Sequence, residues 1–111
     1  MMLVLNKPIL DTNNNYVKKL EYDLYNLTIK DFNNIEKLYF NLNFNNTETL
    51  TQESQFIYKI CAFFISSLKF NKNLSFVEFL RIKGKDRRRI VNIVEGFFIP
   101  NELMSKKKDL N

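Results

Sequence analysis

The sequence predicts an α+β fold: an N-terminal β-hairpin followed by a small bundle of three to four α-helices. Three observations carry that prediction. Residues 2–24 show partial apolar alternation at the period of a strand. The rest of the chain divides into segments with apolar residues at helical spacing, each opened by a capping residue. And 111 residues with only two Gly and two Pro lack the turn chemistry that an all-β design demands.

Each element follows in order. Met2 to Leu10 is short and apolar, DTNNN after it is a turn-forming cluster, and Leu20, Tyr22 and Leu24 alternate along the returning segment. This reads as a hairpin over 2–24, with Pro8 placed at a strand edge or end because it cannot donate to a ladder. Thr28 and Asp31 form an Asp variant of the capping box. Phe32, Ile35, Tyr39 and Leu42 follow it as the stripe of a helix over about 29–42. The polar segment from Asn43 to Leu50 is the connecting loop, and Thr51 can cap a second helix over about 52–69. That helix carries one narrow polar stripe (Gln52, Gln55, Lys59, Ser66, Lys69) and is apolar over the rest of its girth. Such a helix is either central or covered by a partner, and a domain of this size offers few elements to cover it.

Ser75 and Glu78 make a second capping box, for a short helix over about 76–82 ended by Gly84. Asp86 reads as the cap of a last helix over about 87–98, with Ile90, Val94 and Phe97 as a buried stripe. Residues 100–111 are polar, contain Lys106-Lys107-Lys108, and read as a fraying tail. One domain, 1–99, is the expectation, with no internal repeat and no linker.

The composition narrows the function. There is no His, the commonest general base and metal ligand, and the single Cys61 excludes an internal disulfide or a thiolate zinc cluster. Cys61 lies in IYKICAFFI, a setting in which a thiol is inert core. No phosphate-loop, dinucleotide, zincin, CxxC or nucleophile-elbow motif occurs. Asp31 and Asp86 are assigned to caps, so no catalytic residue, cofactor or metal is expected, and the chain does not read as an enzyme. The N-terminus lacks the charged start of a signal peptide. The longest uncharged apolar run, Ile60 to Leu68, falls far short of a membrane span, which points to a cytoplasmic protein without a membrane partner.

Charge is unevenly placed. Residues 1–80 hold eight basic and eight acidic residues, whereas residues 81–111 hold nine basic and four acidic, so the whole net charge of +5 lies there. Arg81, Lys83, Lys85, Arg87, Arg88 and Arg89 gather around the turn between the last two helices. They form a basic patch that is a solvated face, a site for an acidic protein partner, or a phosphate grip.

The order of LxKPI, a polar turn, a second strand, LTxxDF opening a helix, an apolar helix and IxxxDxxxIxxxVxxFF resembles the tail assembly chaperones of bacteriophages with contractile, Mu-like tails. The matching residues are Leu5, Lys7, Pro8 and Ile9; Leu27, Thr28, Asp31 and Phe32; Cys61 and Ala62; and Ile82, Asp86, Ile90, Val94, Phe97 and Phe98. The resemblance spans about 3–98. It implies a non-enzymatic chaperone that coats the tape measure protein, or another helical tail protein, and keeps it soluble. Phe63, Phe64, Phe97 and Phe98 are the expected contributors to partner capture or to a homo-oligomer, since the apolar girth of the second helix and the two stripes of the last (Ile90, Ile93, Phe97 and Val91, Val94, Phe98) exceed what one core face needs; the alternative is that all four Phe are simply core. The rival is a small basic nucleic-acid-binding regulator that uses 75–98 as a helix-turn-helix-like unit. It is disfavoured because the last helix turns apolar beyond Arg89 and leaves few side chains to read bases.

Overall fold

The computed structural model describes the backbone of residues 1–43 and 52–110 and the side chains of residues 1–42 and 56–97. The chain has an α+β fold: strands β1 (Met2–Leu10) and β2 (Tyr16–Glu21), a 3-10 turn at Leu24–Asn26, and helices α1 (Ile29–Asn43), α2 (Gln52–Leu68), α3 (Phe76–Leu80) and α4 (Gly84–Leu110). The expected loop over 44–50 and the Thr51 cap lie outside the described residues.

The hairpin is antiparallel, and its turn is built by Asp11. The Asp11 carboxylate accepts from the backbone N–H of Asn13 and Asn15, at 2.8 and 2.9 Å. Asn14 takes the left-handed conformation, φ 64°, that Asn tolerates better than most residues. The register then breaks. Val4 pairs with Lys19 and Ile9 with Val17, so Leu5, Asn6, Lys7 and Pro8 stand against Lys18 alone. Pro8 thus lies inside a bulge rather than at a strand end, a place where its missing N–H breaks no ladder bond. β2 ends at Glu21, earlier than the expected 24, because Asp23 caps a 3-10 turn by accepting from Tyr25 N–H.

α2 is the centre of the molecule. Every residue from Ile60 to Ser67 is buried, with Cys61, Ala62, Phe63 and Ser66 at 0% exposure. The hairpin, α1, α3 and α4 together wrap it, and one apolar cluster runs from Leu3 and Leu5 through Ile35 and Phe79 to Ile90 and Val94. Aromatic contacts order this core: Phe63 meets Tyr22 at 4.8 Å and Phe79 at 6.0 Å, and Phe64 meets Phe76 at 4.9 Å. The elements of the chain therefore suffice to cover the middle of α2, and its apolar girth does not require a partner there.

α1 begins at the capping box read from the sequence. Thr28 Oγ1 accepts from Asp31 N–H at 3.1 Å, and Asp31 Oδ2 accepts from Thr28 N–H at 2.8 Å. α3 begins at Ser75, whose hydroxyl accepts from Glu78 N–H. α3 closes at Leu80, short of the expected 82, and Gly84 opens α4 instead of ending α3. The φ of +64° at Gly84 explains the glycine, because an added Cβ would meet no atom within 4 Å there. α4 also continues past 98, through Pro100 to Leu110, where a tail was expected. Pro100 forfeits one backbone bond, and the helix formers that follow it, Glu102, Leu103, Met104 and the lysines, sustain the helix beyond.

Candidate binding surface at the α3–α4 turn

The start of α4 is held by a polar lock to the bulge of β1. The bulge leaves the N–H groups of Asn6 and Lys7 without strand partners, and buried donors must be satisfied. Asp86, only 4% exposed, meets both: its carboxylate accepts from Asn6 N–H at 3.0 and 2.9 Å and from Lys7 N–H at 3.1 Å. Arg89, one turn on, donates to Val4 C=O at 2.8 Å and to Asp86 at 3.3 Å. Asp86 is therefore not the cap of its own helix, as the sequence suggested. It caps a strand 80 residues away. Apolar neighbours complete the joint, with Leu5, Ile82, Ile90 and Val94 all buried.

The basic patch divides accordingly. Arg89 belongs to the lock. Arg81 is paired with Glu78 at 3.1 Å. Lys83, Lys85 and Arg88 are exposed and Arg87 half-buried, and none of these four makes an ion pair among the described residues. The fold adds a cation that the linear cluster did not include. Lys7, exposed at the bulge, lines with Arg81 and Lys83 a hollow of about 320 Å³ between β1 and the α3–α4 turn. Lys7 stands in the LxKPI segment, 74 positions before Arg81 in the chain, so linear clustering of charge does not include it. On the far side of the turn, Arg87 and Arg88 border a second, wider hollow of about 530 Å³ with Phe56 and Val91.

Among the described residues the four expected aromatic side chains do not form one exposed surface. Phe63 and Phe64 are buried at 0% and 4% exposure and are core, because α2 is covered on all sides at their level. Phe97 is half-buried, its ring edge-on to Tyr25 at 4.7 Å. The side chain of Phe98 lies outside the described residues. Of the two stripes on α4, the buried residues are Ile90, Val91 and Val94, while Ile93 and Phe97 pack at the edge of the core. The large apolar side chains that do face solvent are others, among them Ile29, Phe40, Phe70 and Val77. None of them belongs to a stripe read from the sequence.

Burial pushes the Cys61 thiol up to about 12, which leaves it protonated and unreactive near neutral pH. No group of three His, Cys, Asp or Glu side chains that could hold a metal ion occurs among the described residues. No helix among the described residues is long and apolar enough to cross a membrane. Searches of protein-family models, of curated proteins and of solved structures give no match to this chain.

Proposed function

We propose that this chain is a non-enzymatic tail assembly chaperone, working in the cytoplasm of a bacterial host, that binds a long helical tail protein and keeps it soluble until assembly. The observation that carries the reading is the joint between β1 and α4. The two segments bearing the most distinctive parts of the resemblance, LxKPI and IxxxDxxxIxxxVxxFF, interlock through Asp86 and the backbone of Asn6 and Lys7. Asp86 in the second motif thus has a physical reason to accompany the bulged strand of the first. Exposed Phe40, Phe70 and Val77 supply apolar surface of the kind that shields a partner's helices. The test is co-expression with a long helical tail protein. A soluble complex that co-purifies, with the helical protein insoluble when expressed alone, is the expected result. A helical protein equally soluble alone, with no complex, ends the reading.

The nucleic-acid reading has one feature in its favour, the cations Lys83, Lys85 and Arg88, which are unpaired among the described residues. Against it, Arg89 is engaged by Val4 and Asp86, and α3 is only five residues long. Sequence-selective DNA binding at physiological salt, abolished by Lys83→Ala, Lys85→Ala and Arg88→Ala together, would put that reading first.

A further inference from the structure

We infer that the hollow between the β1 bulge and the α3–α4 turn is a docking site for an acidic segment of a partner protein that also carries aliphatic side chains. The inference concerns this surface alone and stands whether or not the chain serves tail assembly. Two properties coincide in the hollow. Its apolar lining is Pro8, Ile9, Leu10, Tyr16 and Ile82, with the buried Ile9 and Ile82 as its floor. Its rim is cationic, with Lys7 from the strand and Lys83 from the turn, both exposed and both without an ion pair among the described residues. At about 320 Å³ the hollow accepts one or two side chains rather than a whole helix. A leucine or isoleucine on the floor with a carboxylate at either lysine satisfies both properties together.

The same hollow is poorly suited to nucleic acid. Glu78 and Asp86 also line it, each paired with an arginine, so only two lysines are left to meet a backbone that carries a charge on every nucleotide. A peptide can space its acidic groups to meet Lys7 and Lys83 and present neutral atoms elsewhere. Arg81 is already neutralised by Glu78, so the two lysines carry the attraction. The site is long-range in sequence, with its two cations 76 positions apart, and exists only because Asp86 fixes the bulge against α4.

The experiment is fluorescence anisotropy on the full chain with a labelled peptide of glutamates and leucines. Its controls are the same peptide with Gln for Glu, the same peptide with Ser for Leu, and a labelled single-stranded oligonucleotide. The expected result is binding of the Glu/Leu peptide that weakens with salt, and a loss of about tenfold or more in either control peptide. Lys7→Glu with Lys83→Glu should weaken binding at least about tenfold, and Arg88→Glu, across the turn, less than about threefold. The Lys7 backbone N–H that Asp86 accepts from survives the substitution. The neutral pair Lys7→Gln with Lys83→Gln, which adds no carboxylate beside Asp86, should reduce affinity in the same direction with an unchanged thermal melt. Unchanged affinity in the lysine variants, equal binding of the Gln or Ser peptide, or tighter binding of the oligonucleotide overturns the inference.

Discussion

The first turns of α1 and α4 each hold an aspartate in the same local position, and the two do opposite things. Asp31 closes a box with Thr28 three residues away, and each side chain receives the other's backbone N–H. Asp86 ignores the start of its own helix and satisfies the backbone of β1. Their neighbours differ as much. Asp31 is met by Lys69, which sits at the surface, at 2.8 Å. Asp86 is met by Arg89, which also reaches a strand carbonyl. The difference teaches that a capping signature identifies a helix start without saying where the carboxylate points. A bulge with two orphan donors is a stronger claim on a buried acid than a helix end open to water.

The sharpest way to break the comparison is Asp86→Ala. It strands the Asn6 and Lys7 donors, and it leaves Arg89 without its acid. A loss of about 3 kcal/mol is expected, since each unmet buried donor costs about 1–3 kcal/mol and partial hydration recovers some of it. Urea unfolding measures it. A loss below about 1 kcal/mol would mean that the lock is a solvated contact. Arg89→Met keeps the aliphatic stem and removes only the guanidinium, so a smaller loss of about 1 kcal/mol is expected. A double-mutant cycle with Asp86→Ala should show coupling between the two, because they share one network.

At the other aspartate the expected loss is also about 1 kcal/mol for Asp31→Ala, the usual value of a cap, with little added by the half-exposed Lys69. Its pH dependence is distinctive. Burial works to raise the Asp31 carboxyl, but bonds from Lys69 and Thr28 outweigh it and hold the group below its ordinary range. The stability it contributes is therefore fully present above the ordinary carboxylate range, and is lost as pH falls through the lower, folded value. The gap between wild type and Asp31→Ala should be constant near neutrality and close below about pH 4. A gap that persists unchanged at pH 2 would contradict the cap and ion-pair account.

What could be read from the sequence divides along the same line. The boxes Thr28–Asp31 and Ser75–Glu78 are local, and both helix starts are where their spacing put them. The hairpin turn at Asp11–Asn15 is local too. The bulge was illegible because Pro8 alone marks it, and a single proline fits a strand end as well as a bulge. Phe63 and Phe64 were misplaced for a different reason. A helix apolar on every side has no period to separate an inner from an outer face, and only the number of elements wrapping α2 decides the matter. The candidate surface was half legible: the cations at 81–89 lie together in the chain, but the fold removes Arg89 from them and adds Lys7.

Two adjacent serines on α2 offer the finest test of the rule that partnering, rather than burial, decides the worth of a polar side chain. Ser66 is buried and accepts from Asp23 N–H at 2.7 Å, a smaller version of what Asp86 does for β1. Ser67 is 1% exposed, and its hydroxyl has no hydrogen-bond partner among the described residues. Ser66→Ala should cost about 1–2 kcal/mol because it orphans the Asp23 donor at the start of the 3-10 turn. Ser67→Ala removes a desolvated hydroxyl that returns nothing, exchanges it for a better helix former, and leaves a space smaller than a methyl group. The expected change is therefore within about 0.5 kcal/mol of zero, on the stabilising side. A loss for Ser67→Ala equal to that for Ser66→Ala, measured in the same urea titration, would show that Ser67 has a partner in solution. The contrast between the two serines would then fail.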